Sequence, residues 1–115
     1  MEDRLPLKPD DFQILLALEG GERHGYAILR EIERATDGEM SLSPSPFYRK
    51  LKRMEDGGLL TKAEDRPAPE LDDERRRYYR LTDLGREVLE AEALRLVELA
   101  GQERVLRLAR AAGSR

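Results

Sequence analysis

Hydrophobic and polar residues fall along this chain in blocks of helical period, with one interval where strand-forming residues take over. Phe12, Leu15 and Leu16 define the inner side of a first helix, and Ile14 with Leu18 widens it. Pro9 suits its first position, Asp10 and Asp11 favour the positive end of its dipole, and Gly20-Gly21 stops it. A second helix is predicted from near Gly25 to about Thr36, with Ala27, Ile28, Leu29 and Ile32 inward and Asp37-Gly38 as its turn. The piece from Met40 to Ser43 is short and could add a minor strand. Ser45 followed by Pro46 reads as an N-cap and a first-position proline for a third helix, whose Phe47, Leu51 and Met54 share one stripe. Gly57-Gly58 ends it.

The period then changes. Leu59 to about Glu64 reads as one strand and Arg76 to Leu81 as its hairpin partner. Tyr78 and Tyr79 point to opposite faces there, so one of them belongs to the core. The link from Asp65 to Arg75 holds two prolines and many charges and is expected to be a mobile tip. Helical pattern resumes after Thr82, a good N-cap, and either continues to Ala112 or breaks at Gly101. On this last segment Leu84, Val88 and Ala91 make one stripe. Leu89, Ala93, Leu96 and Ala100 make a neighbouring one, which Leu94 and Val97 extend. An apolar arc that wide exceeds what packing on one's own domain requires, and a surplus of this kind usually meets another subunit. Leu89, Ala93, Leu96, Val97 and Ala100 are the expected dimer contacts.

This order of elements predicts a mainly α protein with a small β-hairpin (α+β): a winged helix-turn-helix followed by a long C-terminal dimerisation helix. Residues 1–82 would form the winged unit and 83–115 the dimerisation helix, joined as one compact body. The chain has 115 residues, enough for one domain of ordinary size but too few for two independent cores. It lacks cysteine, which excludes disulfides and thiolate metal sites. The longest apolar run, Ile14 to Leu18, is far short of a membrane span, and the first residues lack a signal-peptide layout. A cytoplasmic protein with no membrane partner is the expectation.

Charge adds the functional signal. The net value of −3 argues mildly against a nucleic-acid partner, yet the charges are segregated. Between Ser43 and Lys62 there are five basic residues and two acidic ones. On the third helix Tyr48, Arg49, Lys52 and Arg53 occupy the arc opposite the apolar stripe, flanked by Lys50. Arg75-Arg76-Arg77-Tyr78-Tyr79-Arg80 then places three arginines on the second hairpin strand and a fourth, Arg75, just before it. Forked arginine donors suit phosphate oxygens and groove edges. Two plainer readings compete: the basic arc as a solvated helix face, and the hairpin arginines as partners of Asp72, Asp73 and Glu74. His24, the single histidine, reads as a cap or packing residue at the start of the second helix, with Gly25 permitting close approach. Glu87, Glu90, Glu92 and Glu98 read as a solvated face. With no nucleophile beside a base and no phosphate-cradling glycine loop, the residues support neither catalysis nor a cofactor or metal.

Ile14-Leu15-Leu16-Ala17-Leu18, His24-Gly25-Tyr26-Ala27-Ile28 and Tyr48-Arg49-Lys50-Leu51-Lys52-Arg53 with Gly57-Gly58-Leu59-Leu60 occur in that order. Arg76-Arg77-Tyr78-Tyr79-Arg80-Leu81-Thr82 with Leu84-Gly85 completes the set. In these pieces the chain resembles the PadR family of transcriptional regulators over roughly residues 8 to 90, in the branch with a compact C-terminal helical region. The resemblance implies a homodimeric transcriptional repressor that binds a two-fold-related operator in double-stranded DNA. It places Tyr48, Arg49, Lys52 and Arg53 on the recognition helix, Ser45 at its start, and Arg75, Arg76 and Arg77 on the wing. It also implies a small-molecule effector that releases DNA. The chain departs from the family at Pro46, which removes a backbone N–H and a hydroxyl at the helix start, and at Lys8, which replaces a hydroxyl residue. A winged-helix protein-interaction module without specific DNA binding is the alternative reading.

Overall fold

A computed structural model describes residues 4–63 and 77–114 of the chain. The expected hairpin tip, the strand end at Glu64 and the arginines Arg75 and Arg76 lie outside the described residues. Helix α1 (Pro9–Ala17) starts where its proline and first-turn acids direct it, with Lys8 as an extended N-cap. Strand β1 (Arg23–His24) leads directly into helix α2 (Gly25–Ala35). His24 caps that helix, its Nδ1 accepting from the Ala27 N–H at 3.0 Å, and its ring meets Tyr78 edge-on.

Helix α3 (Pro44–Asp56) begins two residues before the expected first position, Pro46. Ser43, extended ahead of Pro44, is the N-cap, and its carbonyl accepts from the Phe47 N–H at 3.1 Å. Ser45 and Pro46 therefore lie inside the first turn. Both prolines fit there because first-turn N–H groups have no acceptor within the helix. Strands β2 (Leu60–Lys62) and β3 (Tyr78–Leu81) form the base of the hairpin, and β1 completes an antiparallel sheet in the order β1-β3-β2. Register pairs Arg23 with Tyr79 on one side of β3, and Lys62 with Tyr79 on the other. The third strand is thus Arg23–His24, whereas Met40 to Ser43 forms none.

Helix α4 (Asp83–Ala100) is capped by Thr82, whose Oγ1 accepts from the Gly85 N–H at 2.9 Å and donates to the Gly58 carbonyl. The final segment does break: the Gly101 N–H closes on the Val97 carbonyl, Gln102 turns extended, and helix α5 (Glu103–Gly113) follows. The architecture is mostly helical with a small three-stranded sheet, the winged helix expected from the sequence.

One core joins these elements. Ile14, Leu15 and Leu18 of the first helical segment meet Ile28 and Ile32 of α2, Phe47, Leu51 and Met54 of α3, Leu59 and Leu60, Tyr79 of β3, and Val88 and Leu89 of α4. Tyr79 is the core tyrosine and Tyr78 is half-buried. Leu16 departs from expectation: it is exposed, bordering a shallow hollow between α1 and α2. Ile14 and Leu15 of this nine-residue helix, with its C-cap Leu18, already fill the side that meets the core. Leu89 also belongs to this core and not to a free face. The radius of gyration is 16.2 Å, against about 13 Å for a compact chain of this length. Helix α5 buries no residue and adds none to this core.

Glu92 corrects the solvated-face reading of the α4 carboxylates, since it is 1% exposed. The Leu7 backbone N–H donates to it at 3.2 Å, and the Arg95 guanidinium donates to both oxygens at 2.6 and 2.8 Å. The segment before α1 is thereby strapped onto α4. The Arg95 hydrogen bonds outweigh burial and hold the Glu92 carboxyl below its ordinary value of 4.5. The native state therefore takes up this proton less readily than the unfolded chain. The stabilisation is complete above pH 4.5 and is lost as pH falls through the lower native value. Glu92→Gln is expected to lose about 2 kcal/mol near neutrality, because a charge-assisted buried acceptor is weakened. It should also show a shallower loss of stability in acid than the parent chain. Urea midpoints near neutrality and below pH 4.5 measure both effects. Parallel acid limbs for the two proteins would show that the strap does not titrate.

Candidate nucleic-acid interface

Burying Phe47, Leu51 and Met54 leaves the opposite side of α3 to solvent. Arg49, Lys52 and Arg53 all lie there, each exposed. Their ion pairs are loose: Lys52 lies 3.3 Å from Asp56 and Arg53 lies 3.9 Å from Asp11, both at exposed cations. Such pairs are worth little in water and yield readily to a polyanion. Arg49 has no ion pair among the described residues. Ser45 is exposed one turn earlier, at the start of the same helix.

Two of the basic-helix residues are placed differently. Lys50 is drawn back onto α1, 3.0 Å from Asp10 and 3.4 Å from Asp11. Burial opposes ionisation of Asp10, but the Lys50 hydrogen bond and charge prevail and keep its carboxyl below the ordinary value. Lys50 therefore seats α3 on α1. Tyr48 turns toward α2 instead of out along the arc. Its ring packs against the core, and a Cβ on Gly25 would come within 2.7 Å of it. The close approach expected of Gly25 is thus an approach to Tyr48.

At the hairpin, Arg77 is half-buried and its carbonyl accepts from the Gly25 N–H at 3.2 Å, tying the wing base to the start of α2. Arg80 is exposed on β3, between the buried Tyr79 and the half-buried Leu81. The sequence counts it in the arginine-bearing segment but not among the wing candidates Arg75, Arg76 and Arg77, although strand alternation is the signal that places it outward. The structure brings together Ser45, Arg49, Lys52 and Arg53 on one helix, with Arg77 and Arg80 at the wing base.

The C-terminal arm has a different character. Ala93, Val97 and Ala100 are exposed and Leu96 is half-buried, joined by exposed Leu94 and Leu99. Helix α5 adds exposed Val105, Leu106 and Leu108. No group of three His, Cys, Asp or Glu side chains among the described residues could hold a metal ion. No helix among them is long and apolar enough to cross a membrane.

Three helices, a short sheet and a hairpin whose base lies beside the cationic third helix define a winged helix-turn-helix. Residues 14–91, from the first helix to midway along α4, match the transcriptional regulator PadR-like family, and the chain belongs to that family. An uncharacterized 37.1 kDa protein in transposon TN4556 of Streptomyces fradiae is 35% identical over 98 residues, covering 84% of this chain and 26% of that protein. The chain thus spans about a quarter of the length of that relative. Bacillus subtilis PadR in complex with operator DNA superposes with a TM-score of 0.63 at 28% identity, over 75% of this chain and 47% of that one. H. salinarum RosR matches in fold with a TM-score of 0.65 at 23% identity, over 97% of this chain and 93% or more of that one.

Proposed function

We propose that the protein is a DNA-binding repressor of transcription acting inside the cell as a homodimer. Residues 1–82 would carry the reading surface and 83–115 the arm that sets its spacing. The observation that carries this reading is the exposed arc of Arg49, Lys52 and Arg53 on a helix whose other side is locked in the core. Helix α3 enters the major groove, where arginines reach guanine edges or phosphates and Lys52 contacts phosphate. Ser45 adds a donor at the helix start, and Arg75, Arg76 and Arg77 bring the wing to the backbone. Tyr48, packed on Gly25, contributes by holding α3 against α2. The relative from Bacillus subtilis, solved with operator DNA, supports a DNA partner.

The dimer reading draws on the apolar arm. Ala93, Leu96, Val97 and Ala100 meet a second copy, and Leu89 supports that face from the core. Two-fold pairing of the arms spaces two recognition helices on a two-fold-related operator. An effector that shifts the arms would change that spacing and release DNA.

The test is a titration of the DNA upstream of the protein's own gene against the parent chain and Arg49→Ala/Arg53→Ala. The double variant is expected to lose affinity at least about tenfold, since each specific arginine contact is worth roughly 1–3 kcal/mol. Its thermal transition should be unchanged, because both side chains are exposed. Parent binding should weaken with salt at a log–log slope of about −0.9 per phosphate neutralised. Unaltered affinity in the double variant would sink the proposed reading surface.

A further inference from the structure

Helix α2 presents a second cationic surface, separate from the α3 arc. Tyr26, Arg30 and Arg34 are exposed at successive four-residue steps, so they form one row along the helix. At a rise of about 1.5 Å per residue the row is about 12 Å long. Tyr26 is 48% exposed and takes no part in the core. The Arg30 guanidinium lies 5.6 Å from the centre of its ring and donates to its hydroxyl at 3.0 Å. That contact holds a guanidinium with no ion pair among the described residues in a fixed, solvent-facing position.

Arg23 of β1 flanks the same open cleft, which Tyr26, Arg30, Glu31 and Arg34 line. Three guanidiniums there face one carboxylate. Glu31 is already engaged by hydrogen bonds from Arg34, with Arg23 3.9 Å away, and the Arg34 bonds first of all hold it ionised below its ordinary value. The cleft therefore keeps an excess of positive charge. Its position is equally informative. The row begins beside Gly25, where α2 touches both the Tyr48 ring of α3 and the Arg77 carbonyl at the wing base.

We propose that Tyr26, Arg30 and Arg34, with Arg23 beside them, form a rail for the sugar–phosphate backbone flanking the groove that α3 enters. The proposal rests on the DNA-binding reading above and adds a backbone anchor that reading does not use. A row about 12 Å long is long enough to reach successive phosphates of one strand, each of which carries one negative charge. Backbone contacts of this kind position the protein and carry no sequence information directly. Arg30, braced by the Tyr26 ring and hydroxyl, is the anchoring cation, and Arg34 exchanges Glu31 for phosphate.

Salt dependence separates this rail from the α3 arc. Parent chain, Arg30→Ala/Arg34→Ala and Arg49→Ala/Arg53→Ala are titrated against two duplexes: the DNA upstream of the protein's gene and a random sequence. For the Arg30/Arg34 variant the log–log salt slope should shrink by about 0.9 for each phosphate that is no longer neutralised. Both duplexes should weaken in proportion, so the preference for one over the other is kept. The Arg49/Arg53 variant should instead lose that preference. Should the Arg30→Ala/Arg34→Ala chain melt earlier than the parent, Arg30→Gln/Arg34→Gln keeps the stem packing and gives the same readout. An unchanged slope in the Arg30/Arg34 variant, with preference lost in the Arg49/Arg53 variant, overturns the rail alone. Absence of binding by the parent chain overturns both readings.

Discussion

Gly85→Ala is expected to destabilise the protein by about 3 kcal/mol, a large fraction of the margin of a domain this size. A Cβ at Gly85 would overlap the Leu59 carbonyl oxygen and come within 2.9 Å of the carbonyl carbon. Both are backbone atoms, so no side-chain rotation relieves the clash. That carbonyl already accepts from the Thr82 N–H at 3.2 Å, and the Gly85 N–H donates to the Thr82 hydroxyl. Pushing α4 away would break this junction between hairpin and arm. Helix propensity acts in the opposite direction, since alanine is favoured over glycine by about 1 kcal/mol within a helix. The steric term is expected to win by a wide margin. A urea midpoint shift at constant slope measures it. A variant as stable as the parent would mean that α4 does not dock this closely on Leu59.

The reasons for that junction explain how much of the fold could be read in advance. Local signals were sufficient wherever one side chain decides one boundary, as at Pro9, His24 and Thr82. They were ambiguous where the same signal occurs twice. Ser43-Pro44 and Ser45-Pro46 are both a cap followed by a proline, and the choice falls to the carbonyl that Phe47 reaches. Strand β1 has two residues, too few to show alternation, and exists because β3 offers Arg23 and His24 a pairing edge. Glu92 could not be read at all. Next to Arg95 it looks like an ordinary exposed pair, and its burial depends on Leu7, a residue far away in the chain.

The candidate site divides in the same way. Arg49, Lys52 and Arg53 were legible because the Phe47, Leu51 and Met54 stripe fixes which side of α3 faces out. Tyr48 and Lys50 lie at the margins of that arc, where partners on other elements decide. Gly25 has no Cβ and so accepts the Tyr48 ring, while Asp10 and Asp11 pull Lys50 onto α1. The dimer candidates show the same limit. Period alone groups Leu89 with Ala93 and Leu96, but Leu89 lies where α4 still crosses the core, and Val97 lies beyond it. Tyr26 and Arg30 escape a sequence reading because a mixed polar face on α2 carries no signal until the pairing of ring and guanidinium is seen.

Phe47→Ala is expected to have the largest effect of any single change, a loss of about 3–5 kcal/mol. Phe47 is fully buried on the inner face of α3 and meets the Tyr48 ring edge-on, with centroids 5.0 Å apart. Its removal deletes transfer energy and leaves a void beneath the helix that presents the cationic arc. The surrounding core comes from four helices and the sheet, so it cannot collapse into that void without moving α3. DNA binding and folding should therefore fail together in this variant, whereas Arg49→Ala/Arg53→Ala separates them. Chemical denaturation at several protein concentrations measures the loss, since the apparent stability of the proposed dimer would depend on concentration. The decisive comparison is between the two variants at one salt concentration. A Phe47→Ala protein that loses less than about 1 kcal/mol, well below the range for a filled core site, would show that α3 is seated by something other than this ring.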